Sequence, residues 1–137
     1  MESTINPTRN EKLQLRKEQM IQRSKDAESK EEGHYYLCLA DLYTLAIENE
    51  QATMFGSTLT VTVGSDDDAV SKVCIEVITD FSSLTNHFET SFSQWQGVPC
   101  KLVREASGKH FGTAEEAFQF IVGLSQKINA FFNNIQI

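Results

Sequence analysis

The sequence predicts an α+β fold: a small three-stranded sheet packed by amphipathic helices, preceded by a charged helical arm. Three observations predict it. The first thirty residues are dense in Arg, Lys, Glu and Gln; a stretch near residue 60 alternates with period two; and the last 25 residues repeat their apolar positions every 3.6 residues. At 137 residues and 40% hydrophobic content, one core is the expected outcome, with nine Phe, three Tyr and one Trp supplying much of its volume.

Residues 1–32 read as a flexible or helical charged arm, and residues 33–137 as a single domain. From Thr8 to about Lys30 the residues are strong helix formers, and Thr8 with Glu11 matches a capping box. Leu13, Met20 and Ala27 recur every seven residues and Ile21 widens the stripe. A stripe this thin needs a surface to lie on, either the chain's own domain or a second copy; without one the arm stays unfolded. Gly33 then separates it from a second helix over 31–50, whose face carries Tyr35, Tyr36, Leu39, Leu42, Tyr43, Ala46 and Ile47.

Phe55, Ser57, Leu59, Val61 and Val63 alternate with small and polar residues, as a half-buried strand does. Residues 69–80 satisfy both periods, since Val73, Ile75, Val77 and Thr79 have strand spacing while Val70, Val73, Cys74 and Val77 have helical spacing. Their β-branched density favours a strand over 71–79, paired with 57–63 through an acidic turn at Asp66, Asp67 and Asp68. A helix over 82–95 is expected next, from Ser82 and Ser83 as caps and Leu84, Phe88, Phe92 and Trp95 as its stripe. Gly97 and Pro99 end it, Val98, Cys100 and Leu102 alternate as a short strand, and 105–112 read as a loop. Thr113 and Glu116 form a second capping box before the strongest amphipathic helix, marked by Ala117, Phe118, Ile121, Leu124, Ile128, Phe131 and Phe132.

Net charge is −7, but unevenly placed. Residues 1–32 hold seven basic and seven acidic side chains, and residues 33–97 hold only Lys72 against nine acids. An acidic middle repels a phosphate backbone, so nucleic acid is not the expected partner. No run approaches eighteen apolar residues, so no membrane span is expected. Met1 opens on polar residues and the three cysteines, Cys38, Cys74 and Cys100, form no CxxC, which together point to an intracellular, cytoplasmic protein with reduced thiols.

His34, His87 and His110 are far apart in sequence and form no metal-ligand spacing, so neither metal nor cofactor is expected, and no catalytic residue is assigned. Lys101, Arg104, Lys109 and His110 concentrate positive charge before the last helix and are candidate ligands for a small phosphorylated or otherwise anionic molecule. His34, Tyr35 and Tyr36 are weaker candidates for lining a small-molecule cleft. Leu13, Met20, Ile21, Phe120, Val122, Phe131 and Phe132 are candidate interface residues, because the arm is under-filled and the last helix is apolar beyond one stripe. The expected function is a non-enzymatic protein–protein interaction module: an adaptor, small chaperone or assembly subunit, with a homodimer as one form. Anion binding at the basic loop is the alternative, and an enzyme ranks behind both.

Overall fold

The computed structural model describes residues 8–66, 69–80, 82–83, 85–95, 98 and 100–135. Among them it is a mixed helix and sheet fold, in the order α1 (Arg9–Lys25), α2 (Lys30–Glu48), β1 (Ala52–Phe55), β2 (Thr58–Asp66), β3 (Ala69–Asp80), β4 (Thr85–Trp95), α3 (Cys100–Ala106), β5 (Lys109–Phe111) and α4 (Ala114–Ile135). The sheet has five strands, not the three expected, and runs antiparallel in sequence order from β1 to β5.

The helical pair at the N-terminus forms for the reasons its sequence states. Thr8 Oγ1 accepts from the Glu11 amide while Glu11 accepts from the Thr8 amide, which completes the capping box. Ser29 caps α2 by accepting from the Glu32 amide. Gly33 does not separate the two helices but lies in the first turn of α2, buried where α1 ends. A Cβ there would meet the Ser24 carbonyl at 3.3 Å, and Ser24 Oγ donates to the Gly33 carbonyl at 2.8 Å. A side chain there would have to push the Ser24 carbonyl aside by a few tenths of an ångström, so the close crossing favours glycine.

Four expectations between residues 55 and 112 are corrected. The stretch expected to form one strand from Phe55 to Val63 is folded back on itself: Phe55 pairs with Thr58 across a two-residue turn, with Gly56 at φ 60°. The helix expected over 82–95 is the long strand β4, paired with β3 from Asp80↔Thr85 to Ser71↔Trp95. Ser82 does not cap a helix; its amide and hydroxyl both donate to Asp80 in the hairpin turn. The short strand expected around Cys100 and Leu102 is the helix α3, and the expected loop contains the edge strand β5. The acidic turn residues Asp67 and Asp68, and the breakers Gly97 and Pro99, lie outside the described residues.

Leu59, Val61, Val63, Val73, Ile75, Phe88 and Phe92 alternate toward one face of the sheet and are buried there. Against that face pack α2, through Leu42, Leu45 and Ala46, and α4, through Ala117, Ile121, Leu124 and Ile128. Helix α1 packs on α2, with Met20 buried in the same core. The opposite face carries Thr53, Thr60, Thr62, Glu76, His87, Glu89 and Ser91, and no described helix covers it.

Candidate functional site

Two places gather chemistry: a groove beside the helical pair, and a cluster on the uncovered face of the sheet.

The groove, of about 340 Å³, runs between α1, α2 and the β1–β2 turn. Arg16, Met20 and Arg23 enter from α1, Tyr35, Tyr36, Leu39 and Tyr43 from α2, and Gly56 and Ser57 close one end. Tyr43 OH donates to the Gly56 carbonyl at 3.2 Å, tying the helix to the hairpin. The Tyr35 and Tyr36 rings meet edge to face, 5.6 Å apart. Neither guanidinium makes an ion pair with the described residues. Seven residues separate them, so they share one side of α1 roughly 10 Å apart along its axis.

The helix boundaries also expose a charge that the sum over 1–32 hides. Helix α1 holds Arg9, Lys12, Arg16, Lys17, Arg23 and Lys25 against Glu11 and Glu18, a balance of six minus two, or +4. The compensating Asp26, Glu28, Glu31 and Glu32 follow it, in the connection and at the start of α2. A positive helix therefore stands on a chain of net charge −7.

On the uncovered face, His87 and Glu89 are two apart on β4 and point the same way. Strand β5 pairs His110 directly with Glu89, and His110 Nε2 lies 3.1 Å from Glu89 Oε2. The rings of His87 and His110 are 4.3 Å apart between centroids. One nitrogen of each imidazole and one Glu89 oxygen all fall within 4.8 Å of one another.

The residues expected to bind an anion are exposed on two neighbouring elements, Lys101 and Arg104 on α3, Lys109 and His110 on β5. Acids interleave them. Glu89 takes His110, and Glu105 pairs with Lys127 while feeling Lys109 and Lys101, all of which hold its carboxyl below the usual range. The helix N-terminus behind the loop is occupied by the chain's own groups: Thr113 Oγ1 accepts from the Glu116 amide and donates to the Glu116 carboxylate.

The expected interface residues divide. Met20 is buried, and Leu13 and Ile21 are half-buried against the core. Phe120 packs its ring 5.3 Å from that of Phe111. Phe131 is half-buried and Val122 is exposed, while the side chain of Phe132 lies outside the described ones. Val122 borders a second, more apolar groove with Phe118, Val61 and Val63. His34, expected near a cleft, instead faces Asn86 and Cys38.

Arg16, Arg23 and the joining of His87, Glu89 and His110 were missed in the sequence. The arginines were legible as a pair seven apart on a helix that also carries Met20. The cluster was hidden by its strands: read as a helix, residues 87 and 89 point apart, and read as a loop, residue 110 has no fixed neighbour. No family model, no curated protein and no solved structure matches the chain.

Proposed function

We propose that the protein is a non-enzymatic binding module that captures an acidic, partly apolar segment of a protein partner in the groove between α1, α2 and the β1–β2 turn. One observation carries this reading: Arg16 and Arg23, which make no ion pair among the described residues, line one groove with three tyrosines, a methionine and a leucine. Tyr and Arg are the residue types that dominate binding energy at protein interfaces, because they combine large apolar area with directed hydrogen bonds. Arg16 and Arg23, roughly 10 Å apart along the axis of α1, are matched by two carboxylates four residues apart on an extended segment. Such carboxylates share one side and stand about 13 Å apart at about 3.3 Å per residue, within reach of the long arginine side chains. The segment that fits carries an aromatic or aliphatic residue between two acids.

The +4 charge of α1 speeds the approach of such a segment, while the acidic remainder of the chain discourages nucleic acid. A second copy of the chain, with its acids between residues 33 and 97, is one source of the segment, and the homodimer is that form of the proposal.

Fluorescence anisotropy with labelled peptides of the acid–x–aromatic–x–acid type tests it. Binding is expected to weaken as salt rises, and Arg16→Glu with Arg23→Glu is expected to abolish it without lowering thermal stability. Sedimentation across a tenfold dilution separates a second copy from a foreign partner. Peptide affinity that is unchanged in the double variant would count against the groove.

A further inference from the structure

We propose that His87, Glu89 and His110 bind a divalent transition-metal ion on the uncovered face of the sheet, with zinc the ion their donors suit best. The proposal is independent of the groove, which lies across the helical pair on the other side of the sheet.

Three observations carry it. The donor set is two imidazoles and a carboxylate whose ligating atoms lie within 4.8 Å of one another, with His110 Nε2 and Glu89 Oε2 3.1 Å apart. Around tetrahedral zinc, donors about 2.0–2.1 Å from the metal are roughly 3.3 Å from each other, so small side-chain rotations close the set.

Secondly, His87 Nε2 is buried and has no hydrogen-bond partner among the described residues. Buried polar atoms in folded proteins nearly always have one, and the Glu89–His110 pair does not supply it. A metal ion would give a histidine in this cluster the electrostatic partner that the protein's own groups leave out.

Thirdly, the register sets Glu76 of β3 directly opposite Glu89 of β4, and Glu89 directly opposite His110 of β5. Two carboxylates facing each other across a strand pair repel. A cation beside Glu89 offsets that repulsion. The arrangement stands on three hydrogen-bonded strands, which fix the backbone positions of all the donors before any ion arrives. Nitrogen and carboxylate donors favour zinc, copper and nickel over magnesium or calcium, and three protein donors leave a fourth position for water or a partner's side chain.

The test uses the full chain after treatment with EDTA. Zinc(II) is titrated by calorimetry, and cobalt(II) by its visible absorption, which reports coordination number. One equivalent of zinc is expected, with a rise in melting temperature that His87→Ala removes. Loss of an outer partner of a ligand alone weakens metal binding ~10–100-fold, so His87→Ala, Glu89→Gln and His110→Ala are each expected to cost at least the upper end of that range. Glu76→Gln is expected to cost only a few-fold, since it contributes charge and not a bond. His34→Ala and Cys100→Ser are expected to leave zinc affinity unchanged. His110 is exposed and His87 and Glu89 are half-buried, and circular dichroism verifies that each variant is folded. The proposal is overturned if no saturable zinc binding occurs below about millimolar concentration, a binding energy of only ~4 kcal/mol, or if binding follows Cys100 or His34.

Discussion

Asn86 is 8% exposed, yet every atom of its amide is used. Its oxygen accepts from Thr79 Oγ1 at 2.7 Å, and its nitrogen donates to the Glu31 carbonyl and to His34 Nδ1. Because Nδ1 accepts, the neutral His34 ring carries its proton on Nε2, which faces Cys38 Sγ at 3.7 Å. Burial, and secondarily the charge of Asp41, push the Cys38 thiol up to about 11. The folded value lies above the unfolded one, so the contribution of this thiol to stability is intact below about 8.5 and is lost as pH rises toward the folded value. Urea denaturation between pH 8 and 11 is expected to show a decline that is shallower in Cys38→Ala, the difference isolating the thiol from Tyr and Lys titration. In the same protein at neutral pH, a maleimide reagent is expected to label the exposed Cys100 at once and the buried Cys38 and Cys74 only on unfolding. An equal slope in both proteins would remove the thiol from the account.

Elements differ in how openly their residues announce them. Helix α4 was legible because Ala117, Ile121, Leu124 and Ile128 can share a face only at a period of 3.6, and they are the residues buried. Strand β4 was not, because Phe88 and Phe92 are four apart, a spacing that keeps one face in a helix and in a strand alike. The discriminating residues lie between them: Thr90 is fully buried and donates to the Ala106 carbonyl at 2.9 Å, while His87, Glu89 and Ser91 take the other face. Helix α3 and strand β5, at seven and three residues, are too short for any period to register. That is also why the metal cluster could not be read, since it exists only through the β4–β5 pairing. The burial along α4 makes its energetics specific. Ile128→Ala is expected to destabilise the protein by about 2–5 kcal/mol, because it opens a cavity under the sheet. Val122→Ser, one face away, is expected to change stability by no more than ~0.5 kcal/mol. Chemical denaturation of the two variants checks the contrast, and a large loss at Val122 would mean that its groove is part of the core.

For the molecule as a whole, the open question in the sequence was whether residues 1–32 are an appendage or a part of the fold. Two contacts argue for a part. Met20 is 5% exposed in the common core, with Leu13 and Ile21 packed against it. At the other end of α1, the Arg9 guanidinium donates to the carbonyls of Ala46, Asn49 and Ala52, where α2 ends and β1 begins. The Ala46 and Asn49 carbonyls are at the negative end of α2, so the cation is placed where the helix dipole favours it. Removal of residues 1–28 therefore takes away a buried methionine, about 2–5 kcal/mol by the usual cost of such a cavity, and a set of charge-assisted hydrogen bonds, about 1–2 kcal/mol after allowance for exposure. Against a total stability of order 5–15 kcal/mol for a domain of this size, that loss is a large fraction. The truncated chain is expected to melt well below the full one and to associate, because Leu39 and Tyr43 lose their cover. Arg9→Ala in the full chain is expected to give the smaller part of the loss, with faster amide exchange at the start of β1. A truncated chain that keeps the full melting temperature would show the helix to be an appendage after all, and would move the binding groove, which α1 helps to wall, off the stable core.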